Sequence, residues 1–255
     1  MMSKAAFIKI LDSVDSTNNY AMAKLRTGMA EHGQAFVAKE QTAGKGQRGK
    51  TWQTAAGQSI ALSLIVKADK LKLEQQFLLS MAVSLGVYDF FGKYAGSNNR
   101  AGQAGDQTKI KWPNDLYWRD RKAGGILIET VFKGMQWKWA VVGIGININQ
   151  TRFSKSLPNP ISLRQITDKE YDVVEMATEL YSFVMKRIEK ISPQSTKKML
   201  KEYNLHLYKR DEPVKLKKAN AVFKTTVKEV SVHGQLCTID TTERHFDFGE
   251  VEWVL

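Results

Sequence analysis

Apolar and polar positions change period several times along the chain, and each change marks an element. Residues 6–11 (AFIKIL) alternate, which predicts a short strand. Asp15, Ser16 and Thr17 then precede a helical spacing through Tyr20, Ala21 and Leu25. All three are residue types that cap helix N-termini, because a side-chain oxygen accepts from a free backbone N–H. Residues 34–40 (QAFVAKE) and 58–67 (QSIALSLIVK) are β-branched or alternating and predict strands. Between 73 and 94, apolar residues at 77, 78, 81, 85 and 88 keep helical spacing, over a length that covers a sheet face.

Residues 96–108 (GSNNRAGQAGDQT) are polar and glycine-rich, a loop or flexible insertion. Residues 109–112 (KIKW) read as a short strand stopped by Pro113. Residues 121–132 and 135–149 are two apolar strands joined around Lys133 and Gly134, the pattern of a hairpin. A short helix is expected within 157–166, an amphipathic helix over 172–191, and more helix up to about Leu207. From 211 to 255 the pattern becomes short strands and turns, a small barrel of about five strands. The boundary falls near 206–211, so residues 1–207 read as one domain and 208–255 as a second.

Composition narrows the class. Hydrophobic residues make up 43% of 255, enough for a sizeable core. The single cysteine, Cys237, excludes an internal disulfide framework. The N-terminus lacks a long apolar run, and no apolar stretch reaches membrane-spanning length, so a soluble cytoplasmic protein is expected. The net charge of +12 points to anionic ligands, an acidic protein or nucleic acid. Many of the lysines are scattered, as on a solvated basic face. Residues 41–67 differ, because Lys45, Arg48 and Lys50 sit among glycines with no carboxylate, the makings of an anion nest.

Residues 44–51 (GKGQRGKT) fit the phosphate-loop formula, with Gly44, Gly49, Lys50 and Thr51 in its fixed places. The context does not follow. A phosphate loop opens a helix at its Lys-Ser/Thr, whereas the residues after Thr51 prefer strand. The anion-cradle reading survives, because it needs only glycines, cations and free N–H groups. In residues 111–129 (KWPNDLYWRDRKAGGILIE), Pro113-Asn114-Asp115 makes a sharp turn, and Lys122 enters an apolar strand beside Gly124 and Gly125. That lysine is either an edge residue or one aimed at a phosphate or carboxylate. In residues 143–149 (GIGININ), G-x-G alone is a weak dinucleotide signal. Asn147 and Asn149 either cap a strand end or offer an amide to a purine. Residues 15–19 (DSTNN) are a helix cap or hold a small polar ring, and Trp52 packs in the core or lies against a flat ligand.

Taken in order, DSTNNYA, QTAGKGQRGKTW, KWPNDLYWRDRKAGGIL and VVGIGININ resemble the biotin protein ligases over about residues 8–150. The resemblance implies an α+β fold: a central mixed β-sheet flanked by helices, like class II aminoacyl-tRNA synthetases, followed by a small Src-homology-3-like barrel. It implies that biotin's carboxylate attacks the α-phosphorus of ATP, with Mg2+, and that the biotinyl group then passes to a lysine of the biotin carboxyl carrier protein. Carried over by position, Ser16, Thr17, Asn18 and Gln41 would meet the biotin ring. Gly44, Lys45, Gly46, Gln47 and Arg48 would wrap the carboxylate–phosphate linkage, and Lys122, beside Gly124, would bind carboxylate and α-phosphate oxygens. Asn147 would read adenine, with Trp52 near the nucleotide, and Asp115 would hold magnesium or orient lysines.

Two departures stand out. The family's usual Gly-Arg-Gly-Arg is here Gly44-Lys45-Gly46-Gln47, so Lys45 lacks the arginine fork and Gln47 lacks charge. Ser16 also comes too early for a preceding helix-turn-helix, so DNA binding and repressor activity are not expected. A homodimer is left open. The alternatives are a lipoate ligase or octanoyl transferase on the same scaffold, or a basic nucleic-acid-binding protein.

Overall fold

The computed structural model describes residues 7–68, 71–72, 75–96 and 107–254. A seven-stranded mixed sheet forms the larger part. Its strands are β1 (Ile8–Val14), β2 (Ala35–Gln41), β3 (Ser59–Lys67), β4 (Thr108–Lys111), β5 (Asp115–Trp118), β6 (Arg121–Lys133) and β7 (Gln136–Asn147), in the spatial order β1-β2-β3-β7-β6-β5-β4. β1 and β2 are parallel, joined through helix α1 (Thr17–Arg26), and every other neighbour is antiparallel. The expected hairpin is β6–β7. The strand β5 was not anticipated: the turn at 113–115 leads into four residues that pair with both β4 and β6.

Strand phase decides where the core and the site lie. In β3, every residue but Lys67 is buried, because both faces are covered. Ile60, Leu62, Leu64 and Val66 join the main core. With them pack Ala140, Val142, Ile144 and Ile146 of β7, and helices α2 (Gln76–Ala95) and α4 (Val173–Ile188). The odd positions of β3 and β7 face the other way, where Phe36, Ile65 and Val141 pack beneath Ala21 of α1. Alternation of side chains along a strand makes this division, so neighbouring residues serve two different layers.

Helix α4 begins where Asp172 accepts from the N–H groups of Val174 and Glu175 at 2.8 and 2.9 Å, a side-chain N-cap. Helix α2 is buried on nearly all sides. Leu79, Val83 and Val87 join the main core, while Leu78, Met81 and Leu85 join a second one. That second core lies under helix α5 (Thr196–Leu205) and the C-terminal sheet. Arg187 of α4 ties the helices together, donating to Asp89 of α2 at 2.6 and 2.8 Å and to Glu202 of α5 at 2.9 and 2.7 Å. A short helix α3 (Leu163–Thr167) precedes α4.

The C-terminal sheet holds β8 (Pro213–Lys218), β9 (Ala221–Val230), β10 (Leu236–Ile239), β11 (Glu243–Phe246) and β12 (Glu252–Val254), in the order β11-β10-β9-β8-β12, all antiparallel. Two tryptophans join it to the larger sheet. Trp112 Nε1 donates to the Gly234 carbonyl at 2.8 Å, and Trp253 Nε1 donates to the Trp112 carbonyl at 3.1 Å. The Trp112–Pro113 peptide is cis. No helix begins at Lys50-Thr51; a 3-10 turn, Gln47–Gly49, comes before them and β3 comes after, so the phosphate-loop formula is met without its structure. Of the polar stretch 96–108, residues 97–106 lie outside those described. Among the described residues, no helix is long and apolar enough to cross a membrane.

Candidate functional site

A cavity of about 640 Å³ lies on the sheet face opposite α2 and α4. That volume suits a small-molecule site. Its floor comes from the site-facing positions of three strands: Ala61 of β3, Gly143 and Gly145 of β7, and Gly125 and Leu127 of β6. The two β7 glycines are required there. A Cβ at 143 would fall 2.3 Å from Asn18 Oδ1, and one at 145 would fall 2.4 Å from Trp52 Cε2. Small residues on the floor therefore let the start of α1 and the Trp52 indole sit directly on the sheet.

One end of the cavity is polar and uncharged. Ser16, Thr17 and Asn18 are buried at the α1 N-terminus. The Thr17 N–H donates to Gln41 Oε1 at 2.8 Å, and the Thr17 hydroxyl lies 3.1 Å from the same oxygen. Ser16 adopts the extended backbone of an N-cap without a side-chain cap hydrogen bond. Its hydroxyl lines the cavity instead.

The rest is electropositive. Lys45, Arg48, Lys50, Lys111 and Lys122 line the cavity, against the carboxylates of Asp115 and Glu252. The loop after β2 folds back on itself. Gly46 N–H donates to the Lys50 carbonyl at 2.7 Å, Trp52 N–H donates to the Gly44 carbonyl at 2.9 Å, and Lys45 pairs with Thr51. Arg48 takes a left-handed φ of 56°. Its guanidinium carbon lies 3.5 Å from where a Cβ at Gly249 would stand, so loop and C-terminal sheet meet over the cavity. Phe248, Val251 and Trp253 complete that wall.

Lys111 was not among the residues anticipated from sequence. It is 6% exposed, donates to the Tyr117 hydroxyl at 3.0 Å, and has Tyr117 and Trp253 ring centroids at 4.6 and 5.2 Å. Burial pulls its pKa down to about 8; Asp115 opposes the shift, and Lys122 and Lys50 add to it. Its motif, KWPND, was read for the turn, for Asp115 and for the family resemblance, with no role given to Lys111. The lysine ending a short strand before that turn carried no signal by itself.

Most of the anticipated residues do line the cavity: Ser16, Thr17, Asn18, Gln41, Lys45, Gly46, Gln47, Arg48, Trp52, Asp115, Lys122 and Asn147. Two do not. Gly124 has the phase of Ile126 and Ile128, so its α-carbon faces β7 backbone, 2.7 Å from the Gly145 carbonyl as a Cβ would measure it; Gly125 takes the cavity position. Gly44 is tucked under the Trp52 carbonyl, where a Cβ would fall 2.4 Å away.

Asn147 spends its amide protons on the carbonyls of Ile161 and Lys122, at 3.1 and 3.5 Å. Only its oxygen is left for a purine amino group, so a two-bond amide–purine pairing is not available. Trp52 Nε1 is buried with no acceptor, close to the α-carbon side of Gly145. Gln47 makes one long contact, Nε2 to the Ile126 carbonyl at 3.5 Å.

A resident metal does not fit this donor set. Among the described residues, no group of three His, Cys, Asp or Glu could hold an ion. Asp115 Oδ1 is 2.6 Å from Lys122 Nζ, so this carboxylate is already paired. It orients that lysine and offers a cation only a shared carboxylate.

A family model, Biotin/lipoate A/B protein ligase family, matches residues 10–147. Over 152 residues the chain is 34% identical to the bifunctional ligase/repressor BirA of Escherichia coli, covering 60% of this chain and 44% of that protein. It is 36% identical over 140 residues to the biotin–[acetyl-CoA-carboxylase] ligase of Paracoccus denitrificans, covering 54% and 53%. The chain thus spans about half the length of these curated relatives. Among solved structures, a biotin protein ligase from Aquifex aeolicus in complex with biotin and ATP shares the fold, with a TM-score of 0.79 over 97% of this chain and 98% of that one at 23% identity.

Proposed function

We propose that this chain, which belongs to the biotin/lipoate A/B protein ligase family, activates biotin with ATP and passes it to a lysine of an acceptor protein, the biotin carboxyl carrier protein of a carboxylase. One observation carries the proposal: a single cavity joins an uncharged hydrogen-bonding end, Ser16, Thr17, Asn18 and Gln41, to a cluster of five cations. A molecule with a polar ring and a carboxylate tail fits that polarity, and a nucleotide phosphate fits beside the tail.

In the first step the two reactants are both anions. The carboxylate oxygen attacks the α-phosphorus, the bond to the β-phosphate bridging oxygen breaks, and pyrophosphate leaves. Lys122, held by Asp115, and Lys111 neutralise the oxygens that crowd together there, which is electrostatic stabilisation where charge builds. Lys45, Arg48 and the N–H groups of the loop cover the mixed anhydride and keep water from it. Any magnesium would come bound to the triphosphate and supply charge neutralisation there, since the carboxylates of this cavity do not form a metal site among the described residues.

In the second step the acceptor amine attacks the acyl carbon, the carbon–oxygen bond to phosphate breaks, AMP leaves and the amine gives up a proton. The loop and the wall made by Phe248, Gly249 and Trp253 meet at Arg48, so the acceptor lysine reaches the acyl carbon only when that contact parts.

A lipoate ligase is the neighbouring reading. Its dithiolane ring has no hydrogen-bonding groups and would leave the Gln41 amide N–H groups without a partner, at a cost of about 1–3 kcal/mol. A cyclic urea satisfies them. Calorimetric titration with biotin and with lipoate, each alone, tests the choice. Binding of biotin only is expected; binding of lipoate only, or of neither, contradicts it.

A further inference from the structure

One carboxylate beneath the cavity touches both of its ends. Glu129 lies on β6 in the phase of Gly125 and Leu127. Its Oε2 accepts from Asn18 Nδ2 at 2.7 Å, and its Oε1 lies 4.0 Å from Lys45 Nζ. Counting protons from this acid fixes the direction of every hydrogen bond beyond it. A carboxylate accepts only, so the Asn18 amide must turn its NH2 to Glu129 and its oxygen away. That oxygen lies 2.5 Å from Ser63 Oγ and can only accept, so the single Ser63 proton goes to it.

Ser63 Oγ also lies 2.7 Å from Thr17 Oγ1. The Thr17 hydroxyl has two acceptors in reach, Ser63 Oγ at 2.7 Å and Gln41 Oε1 at 3.1 Å; with the Ser63 proton committed to Asn18, the one Thr17 proton goes to the nearer, Ser63. Thr17 then offers an occupant a lone pair and no proton. Gln41 is fixed as well: its oxygen takes the Thr17 N–H, so its NH2 is what remains for an occupant. The resulting pattern, one lone pair and one NH2 group, complements a ring bearing N–H beside C=O.

We infer that Glu129 is a positioning residue for the ring end of the cavity, fixing through Asn18 and Ser63 the proton direction at Thr17 that a cyclic urea requires. This rests on the biotin reading given above. Without an acceptor at 129, the Asn18 amide is free to turn over, Ser63 can give its proton to Thr17, and Thr17 can present a proton where the ring presents one.

The test uses calorimetry with biotin and with biotinamide, which has the ring but no carboxylate, on the unsubstituted protein, Glu129→Met and Glu129→Gln. Glu129 is part exposed, and thermal unfolding reports that each variant is folded. Glu129→Met should weaken both ligands about tenfold, the effect of one lost hydrogen bond to a charged group. Glu129→Gln keeps an oxygen that accepts from Asn18 and should recover most of that loss, whereas a packing role would give the same result for Met and Gln. Equal affinity in Glu129→Met and the unsubstituted protein overturns the inference. So does a loss confined to biotin, which would place the effect at Lys45 and the carboxylate. Failure of the unsubstituted protein to bind biotin is a different result, and overturns the functional reading itself.

Discussion

The Trp52 indole fills the place that a side chain at Gly145 would take: a Cβ there would stand 2.4 Å from Cε2. Trp52 closes the anion loop through its N–H bond to the Gly44 carbonyl, so β7 and the loop are held in one geometry. Gly145→Ala should push the indole off the sheet and loosen residues 45–51. Trypsin should then cut after Lys45, Arg48 or Lys50 several-fold faster than in the unsubstituted protein. Equal cleavage would show that the glycine does not anchor the loop. The unfolding free energy should fall by only about 1–3 kcal/mol, the usual cost of overpacking.

Lys111 gives a pH dependence whose sign is fixed. Burial brings its pKa to about 8, so it loses its charge well below the ordinary lysine value of 10.5. Anion binding needs the charged form. Affinity for AMP should therefore fall as pH rises through about 8, and a bound phosphate should move the inflection upward. The same inflection should vanish in Lys111→Met. A Kd for AMP that stays flat to pH 9.5 in the unsubstituted protein would contradict this.

Arg187 carries a stability prediction. It donates to Asp89 and Glu202 together and is itself only 19% exposed. Arg187→Met strands two partly buried carboxylates, at a cost of about 2 kcal/mol, between the values for exposed and buried pairs. The hydrogen bond from Arg187 holds the Glu202 carboxyl below its usual value of 4.5. A lowered pKa adds stability that is present above the unfolded value and lost as pH falls through the folded one. The penalty of Arg187→Met should thus be full at pH 7 and shrink below about pH 4. Denaturant melts at both pH values measure it, and a penalty independent of pH would contradict the assignment.

Under the proposed reaction, Gln47 gives a prediction about how long an adenylate stays bound. Its amide makes a single 3.5 Å contact and brings no charge to the loop. Gln47→Arg should add a forked cation over the phosphate and slow the escape of biotinyl-AMP about tenfold, a gain typical of a charge-assisted hydrogen bond. Release into a trap of excess unlabelled biotin, followed after single-turnover loading, gives the rate. An unchanged rate would remove residue 47 from retention.

Much of this arrangement was legible in residue order, for physical reasons that also mark its limits. Long runs such as those of α2, α4 and β3 announce themselves, α4 by one repeated buried face and α2 and β3 by sustained apolar character. The four-residue β5 does not: Asp115–Trp118 has no room for a period, and only pairing on both sides makes it a strand. The cavity residues of the α1 start and the anion loop were legible because their types are unusual together. Phase was not, so Gly124 was expected where Gly125 lines the cavity, although both follow the same lysine. Glu129 and Lys111 were missed for a related reason. Lys111 ends the four-residue β4 and Glu129 lies inside β6, both in stretches of ordinary composition, and each acquires its role from groups distant in sequence, Asn18 and Lys45 for Glu129 and Trp253 for Lys111.

Exchange of labelled pyrophosphate into ATP reports the first chemical step alone, without an acceptor protein. Run with and without biotin, on the unsubstituted protein and on Lys122→Ala, it tests whether this cavity joins a carboxylate to an α-phosphate. The expected result is exchange that requires biotin and drops at least a hundredfold in Lys122→Ala while thermal unfolding stays within a few degrees, about the scale of one lost charge contact on the transition state. Exchange that ignores biotin, or that persists at full rate without Lys122, would contradict it.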